Sequence, residues 1–469
     1  MTDHDVVIVG GGSAGLAAAR QLLDAGISPC IIDEQPRPGG QIARQPPREF
    51  TVGEWLNGGL YTNIRGLIEE VGSDPRLIWR GGTSVAGIMP GDRGAGFRLT
   101  LAGKGLEEVR ARRVLIAGGC YDMPVAFPGW TVPGVMSVGA VQTLLKSQQV
   151  LTGERIAIFG THPLMIVLAA QIVRAGGQVA SVNFAQGFRQ MLALGLSHGI
   201  ASLRAPGALM AAGSEMAFLR RKGVRIRFGT GVRRAEAGDK GALSHLVLQS
   251  DGNDIAEPCD IAASCYGFLP QSDLVRQVGA DVRWSDPAGG WEAEHDGAMR
   301  ASVPGLYVAG ETTGVAGSEI AMAEGAIAGL SIALDAGAIT SQFAQTGMRA
   351  AQRTLERQRG FAGLLRQIAD PTDFMPDADP DTLLCRCEDI SAATIDATIT
   401  QVAAAGDGFG ADAVKLRCRA GMGLCQGRSC EHSVMRRIAQ ATARPVEQID
   451  GYRSRFPARP LSIGDMIED

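Results

Sequence analysis

The clearest pattern in the chain is at its start. Val6–Val9 is an unbroken apolar run, followed by a glycine turn and the Ala/Leu-rich stretch GLAAARQLLDAG; a second apolar run, CII from Cys30, ends on the acidic pair Asp33 and Glu34. Short apolar runs bounded by turn residues around an amphipathic stretch predict a strand–helix–strand unit. The pattern recurs at 155–184, RIAIFGTHPLMIVLAAQIVRAGGQVASVNF. A further strand and turn, GLYVAGETTG from Gly305, leads into an Ala/Gly-rich helix ending near Leu334. FAQTGMRAAQRTLERQRGFAGLLRQIAD then predicts one or two amphipathic helices, DPTDFMPDADPDTLL a linker, and YRSRFPARPLSIGDMIED an irregular tail.

With 469 residues, the chain exceeds a single core and suggests about three domains. The composition, 45% hydrophobic and 20% charged, is that of a soluble globular protein, and the net charge of −4 excludes a nucleic-acid footprint. The amino terminus has no basic region, and no apolar run approaches the ~20 residues of a membrane span. The expected location is the reducing cytoplasm, where cysteines are ligands or bystanders rather than disulfides.

VVIVGGGSAGLAAA carries glycines at Gly10, Gly12 and Gly15 between strand and helix. The first makes the turn, the second lets backbone approach a pyrophosphate, and the third lets helix and strand pack closely. The helix N-terminus, with Ser13 and Ala14, offers N–H groups to phosphate. Asp33 and Glu34 stand at the spacing of about 20 residues expected of a ribose ligand, with the choice between them open. GLYVAGE resembles the second FAD fingerprint of glutathione-reductase-like flavoproteins, with Gly310 and Glu311 at the cofactor; the usual residue at Glu311 is Asp. PGGQI, with Gly40 and Gln41, resembles the flavin-proximal loop, and VLIAGG, with Ala117 and Gly118, the strand closing the FAD domain. The resemblance implies FAD in this site and adds Val85 and Ile320 as contacts.

In the second unit the corresponding positions are Gly160, His162 and Met165, and the following strand ends without an acid. This predicts a dinucleotide fold that has lost NAD(P)H binding, with His162 an exposed loop residue.

Five of the nine cysteines lie in 385–430. Cys385 and Cys387 form one close pair, Cys425 and Cys430 another, which suits a four-thiolate site holding zinc or a [2Fe–2S] cluster. Gly421, Gly423 and Gly427 expose N–H groups beside the sulfurs, and Arg386, Arg419 and Arg428 would balance thiolate charge. Cys418 reads as a spare, and Cys30, Cys120, Cys259 and Cys265 as buried small residues. RxGMGxCQGRxC with a preceding CxC resembles the [2Fe–2S] domain of bacterioferritin-associated ferredoxin.

Over nearly its whole length the order of segments resembles the larger flavin (alpha) subunits of heteromeric amine and opine dehydrogenases. DEQPRPGGQI, AGGCYDMPVAFPGW, YGFLPQSDL, GLYVAGETTG and AGMGLCQGRSC carry the match. The resemblance implies an α/β protein with two dinucleotide-binding domains and a small C-terminal [2Fe–2S] domain. The expected boundaries are 1–120 with 266–335 for the FAD domain, 121–265 for the degenerate NAD(P)-like domain, 336–380 for a helical linker, 381–445 for the cluster domain, and 446–469 for a tail strapping a neighbouring subunit. It further implies a D-amino-acid-oxidase-like flavin beta subunit that oxidises the C–N bond, room for a small third subunit, and a relay through FAD and cluster toward an acceptor such as a membrane quinone system reached from the inner face. The alternatives are a self-sufficient NAD(P)H-dependent ferredoxin or nitrite-type reductase and a non-catalytic scaffold with a zinc-bound module.

Overall fold

A computed structural model describes the chain except residues 1, 47–49, 51–58, 92–95, 104, 198–205, 286–288, 407, 409 and 467–469. Its first sheet is built around Thr2–Val9. Cys30–Asp33 pairs parallel on one side, with Ile78–Gly81 beyond it, and Leu106–Ile116 pairs parallel on the other. Leu106–Ile116 also carries Leu306–Val308 in parallel and Phe97–Ala102 antiparallel, and Ser84–Pro90 closes that edge. Val6–Val9 are all buried, as expected of a parallel strand covered on both faces.

On one face lie two helices, Ser13–Asp24 and Ser318–Asp335, packed backbone to backbone. A Cβ on Gly325 would stand 2.0 Å from the Ala14 carbonyl oxygen, and one on Gly329 2.5 Å from that of Ala18. Leu16, Leu22, Ile327 and Ile332 fill the space between these helices and the sheet.

The second sheet is wholly parallel, in the order Arg225–Phe228, Val179–Phe184, Ile156–Gly160, Ile261–Cys265, Val135–Ser137. One face is covered by Val138–Gln148 and Leu164–Arg174, the other by an antiparallel meander of Thr230–Ala237, Leu243–Ser250 and Asn253–Pro258. The short strands Cys120–Asp122 and Phe268–Pro270 pair where the chain passes between the sheets.

The amphipathic stretch is one helix, Ser341–Ala369, capped at its start by Thr340 Oγ1 accepting from the Phe343 amide at 3.3 Å. Rather than serving only as a linker, it packs on Ser318–Asp335 and reaches the second sheet at its far end. The remainder forms a small unit with its own core: a hairpin of Leu383–Cys385 and Ile390–Ser391, then helices Ala392–Ala405, Ala411–Cys418 and Glu431–Thr442. Trp284, from a hairpin of the first domain, is buried in that core. The tail packs on the first sheet of its own chain: Phe456 lies against Gly87, and the Ala458 amide donates to the Ala86 carbonyl at 2.6 Å.

Among the described residues no helix is long and apolar enough to cross a membrane. Because Gly325 meets backbone rather than a movable side chain, Gly325→Val should cost about 3 kcal/mol. Thermal unfolding of the purified chain checks this; an unchanged melting profile would refute the backbone-contact reading.

Candidate functional site

The glycine loop between the first strand and helix forms the floor of a long cleft. Gly10 has φ +104°, and a Cβ there would stand 2.3 Å from the Ala117 carbonyl oxygen. Gly15 lies over the turn, where a Cβ would come within 1.9 Å of the Gly10 oxygen. Gly12 faces Gly40 backbone to backbone, and Gly39 donates its amide to the Gly11 carbonyl at 2.9 Å, which fixes the PGGQI loop against the first turn. Gly310, at φ +76°, lets the second fingerprint approach Ala14, and its amide donates to Glu324 Oε2 at 2.8 Å.

Of the expected contacts, Gly10, Gly12, Ser13, Ala14, Asp33, Glu34, Gly40, Gln41, Val85, Ala117, Gly118, Gly310 and Glu311 line this cleft. Gly15 acts beneath it through helix packing. Ile320 does not line it: the helix phase turns Ser318 and Ala321 to the cleft. The two acids differ in role. Asp33 accepts the Gly11 amide on Oδ2 and the Gln35 amide on Oδ1, both at 2.6 Å, while burial holds its carboxyl above the ordinary value. Glu34, more exposed, pairs with Arg459 of the tail. Arg44, Gln271, Arg428 and Arg459 also line the cleft and were not foreseen. The last two lie more than 400 residues from the glycine loop, beyond any local sequence signal.

At Gln41, Ile42, Arg44 and Glu311 the cleft meets a second cavity, of about 510 Å³, between the two sheets. Cys120, read as a buried small residue, instead stands at this junction and donates its thiol to Glu311 Oε2 at 2.8 Å. Burial raises the Glu311 carboxyl, with Cys120 and the Gly317 amide opposing, and the Cys120 thiol is also raised. On the cavity wall, burial brings the Lys146 ammonium down to about 8. Asp122 accepts from Ser137 Oγ at 2.8 Å and from the Gly139 amide.

His162 is not an exposed loop residue. Its ring stands edge-on to Phe268 at 5.1 Å, Nδ1 accepts the Leu164 amide at 3.1 Å, and burial lowers it to about 4, so it is neutral. The turn beside it is occupied by the chain itself. Thr161 Oγ1 donates to the Ala369 carbonyl at 2.8 Å, and Gln186 Nε2 donates to the Thr161 and Ile368 carbonyls at 2.9 and 2.5 Å. The carboxyl end of the long helix therefore sits at the second nucleotide turn, with carbonyls and a negative partial charge where a pyrophosphate needs N–H groups.

In the C-terminal unit the four thiols of the two close pairs converge. Cys385 meets Cys430, Cys387 meets Cys425, and the pairs are near enough for their charges to interact. Cys385 and Cys430 are 1% and 0% exposed, while Cys387 is exposed and Cys425 half-buried. The Gly421 amide donates to Cys385 Sγ at 3.5 Å. The hydrogen bond from Cys430, aided by backbone amides, lowers the Cys385 thiol to about 6, and the same bond raises Cys430. Cys418 instead bonds back to Val414 O in its own helix. Two of the arginines expected to balance cluster charge are engaged elsewhere: Arg419 with Glu388 and Arg428 with Asp273. Among the described residues no group of three or more metal-ligating side chains stands in a ready coordination geometry. Two thiol pairs, one of them with a backbone N–H on Cys385, nonetheless have the ligand type of a cysteine-ligated centre.

Since the second nucleotide turn is filled, NADH added to the purified chain should neither quench protein fluorescence nor protect against proteolysis at micromolar concentrations. A dissociation constant in that range would refute the filled-turn reading.

The pyridine nucleotide-disulphide oxidoreductase family matches residues 4–329. Hydrogen cyanide synthase subunit HcnB of Pseudomonas aeruginosa is 34% identical, covering 97% of this chain and 96% of its own. The opine oxidase A-type subunit of Rhizobium meliloti is 30% identical, covering 99% of this chain and 87% of its own. L-proline dehydrogenase from P. horikoshii shares the fold, with a TM-score of 0.71 and 20% identity over 100% of this chain and 80% of that one. A glycine-floored dinucleotide cleft and relatives alike along the full chain lead to one conclusion: this protein belongs to the pyridine nucleotide-disulphide oxidoreductase family, as an FAD-binding flavoprotein oxidoreductase related to HcnB and to the opine oxidase A-type subunit.

Proposed function

We propose that the chain is the FAD- and [2Fe–2S]-bearing electron-transfer subunit of a heteromeric amino acid or opine dehydrogenase acting on CH–NH or CH–NH2 donors. It would take electrons from a partner flavin subunit of the D-amino-acid-oxidase type, with room for a small third subunit, and deliver them to an acceptor, in the cytoplasm or at the inner face of the membrane. One observation carries the reading: a dinucleotide cleft and four converging thiols share one chain, while the second nucleotide turn is filled by the chain's own helix. The relatives that match along the whole chain are themselves named as subunits, which supports a heteromeric setting.

The cleft fits a dinucleotide by its chemistry. The helix N-terminus at Ser13 presents amides to a pyrophosphate, Asp33 and Glu34 stand at the ribose end, and Gly310 with Glu311 close the far end. When bound, FAD accepts two electrons and releases them singly, matching a one-electron [2Fe–2S] centre. Glu311 and Cys120 can hold a proton where cleft and cavity meet. In the C-terminal unit Cys385, Cys387, Cys425 and Cys430 would hold the cluster, and the Gly421 amide on Cys385 would stabilise its negative charge.

Two measurements test this. The chain purified with its partner should lose visible flavin absorbance anaerobically on addition of an amine or opine substrate and stay unchanged with NADH. Bleaching by NADH alone would establish the reductase alternative. Cys425→Ser should remove iron and the EPR signal of the reduced protein while flavin content stays; a wild-type chain containing zinc and no iron would overturn the cluster.

A further inference from the structure

The last residues of the chain form part of the first cleft. Ala458 and Arg459 line it together with Arg428 of the thiol loop. Arg459 spans the opening. On one side it pairs with Glu34, at the end of the second strand of the first sheet. On the other, with the Gln271 side-chain amide turned to the orientation that satisfies both of its atoms, Nη2 donates to the Gln271 oxygen at 2.9 Å and the Gln271 nitrogen donates to the Gly118 carbonyl at 2.8 Å. Gln271 is anchored further by its backbone amide on the Gly119 carbonyl at 2.9 Å. A single guanidinium thus bridges two walls of the cleft. Its planar fork suits this span, which a lysine ammonium cannot reproduce.

The strap is held from behind by the thiol loop. Arg428 donates both to Asp273, at 2.9 and 3.1 Å, and to the Ala458 carbonyl. Tyr452 packs its ring on Gly421 and Gly427, where a Cβ would lie 2.6 and 2.5 Å from ring carbons, and its hydroxyl stands 3.9 Å from Cys430 Sγ. The Tyr452 amide donates to Glu431 Oε1 at 2.8 Å, and Arg276 joins Glu431 to the Tyr452 carbonyl. These side chains connect the cysteines to the mouth of the cleft.

Charge gives the bridge a purpose. Asp33 and Glu34 place two carboxylates beside the loop where a pyrophosphate would lie. Arg459 faces both and, held between Glu34 and Gln271, brings a positive charge to the mouth of the cleft.

We propose that the strap Arg453–Arg459 is the closing wall of the cofactor cleft, that Arg459 is a cofactor-binding residue retaining the dinucleotide, and that the thiol loop holds this wall in place through Arg428. The proposal rests on the reading of the cleft as an FAD site. It makes cofactor retention a property of the C-terminal unit as well as of the nucleotide fold.

The test is the rate at which flavin fluorescence appears when the full holoprotein is diluted, compared between wild type and variants. Arg459→Ala and a chain ending at Arg455 should release FAD at least about tenfold faster, as loss of a charge-assisted contact implies. Arg428→Gln should shift release in the same direction with iron content retained. Arg459→Lys should fall between wild type and alanine. Glu34→Gln tests the bridge from the opposite wall with the tail intact, in case a tail variant fails to fold, and should also release faster. Release at the wild-type rate from both Arg459→Ala and Glu34→Gln overturns the strap while leaving the FAD reading in place. A wild-type chain that binds no flavin overturns the FAD reading itself, and the strap with it.

Discussion

The architecture depends on backbone meeting backbone around one turn. At Gly10, Gly15 and Gly325 a single added carbon would lie 1.9 to 2.3 Å from a carbonyl oxygen, distances that no side-chain rearrangement can relieve. That crossing fixes the first helix over the strand end, sets the Ser318–Asp335 helix against it, and brings Gly310 and the PGGQI loop to the same place. The cleft is the space these contacts leave. Helix-terminal amides then face it because the first helix has no freedom to sit elsewhere.

A second constraint governs the other nucleotide fold. A helix ending inside the protein must satisfy its last carbonyls. Ser341–Ala369 does so with Thr161 and Gln186, residues of the turn and strand end of the second sheet. Gly160 keeps its φ of +142°, and a Cβ there would strike the Cys265 carbonyl, so the turn holds its shape with the helix end seated on it. The domain supports the end of the long helix and walls the inter-sheet cavity.

The C-terminal unit is joined to the nucleotide domains by half-buried polar contacts as well as by Trp284, which sits in its apolar core. The Arg276–Glu431 pair, Arg428 on Asp273, and Trp130 donating to the Leu383 carbonyl at 2.7 Å each tie a group that would be costly to leave alone. Such contacts fix orientation closely, which a flexible tether would not do.

Local pattern determined much of this protein. The first strand–helix–strand was legible because a strand buried on both faces must be continuously apolar and its turn must be glycine. The cysteine spacing singled out Cys385, Cys387, Cys425 and Cys430, which the fold matches across the two close pairs, Cys385 with Cys430 and Cys387 with Cys425. Helix phase hid the exchange of Ile320 for Ser318 and Ala321, since one residue turns a side chain by about 100°. What only the tertiary structure decided is where distant charges go. Arg428 leaves the thiols for Asp273, Arg459 crosses more than 400 residues of sequence to Glu34, Cys120 finds Glu311, and the end of a helix fills a nucleotide turn. Those pairings depend on long-range packing, and nothing in the spacing of residues along the chain encodes which partner a buried charge will meet.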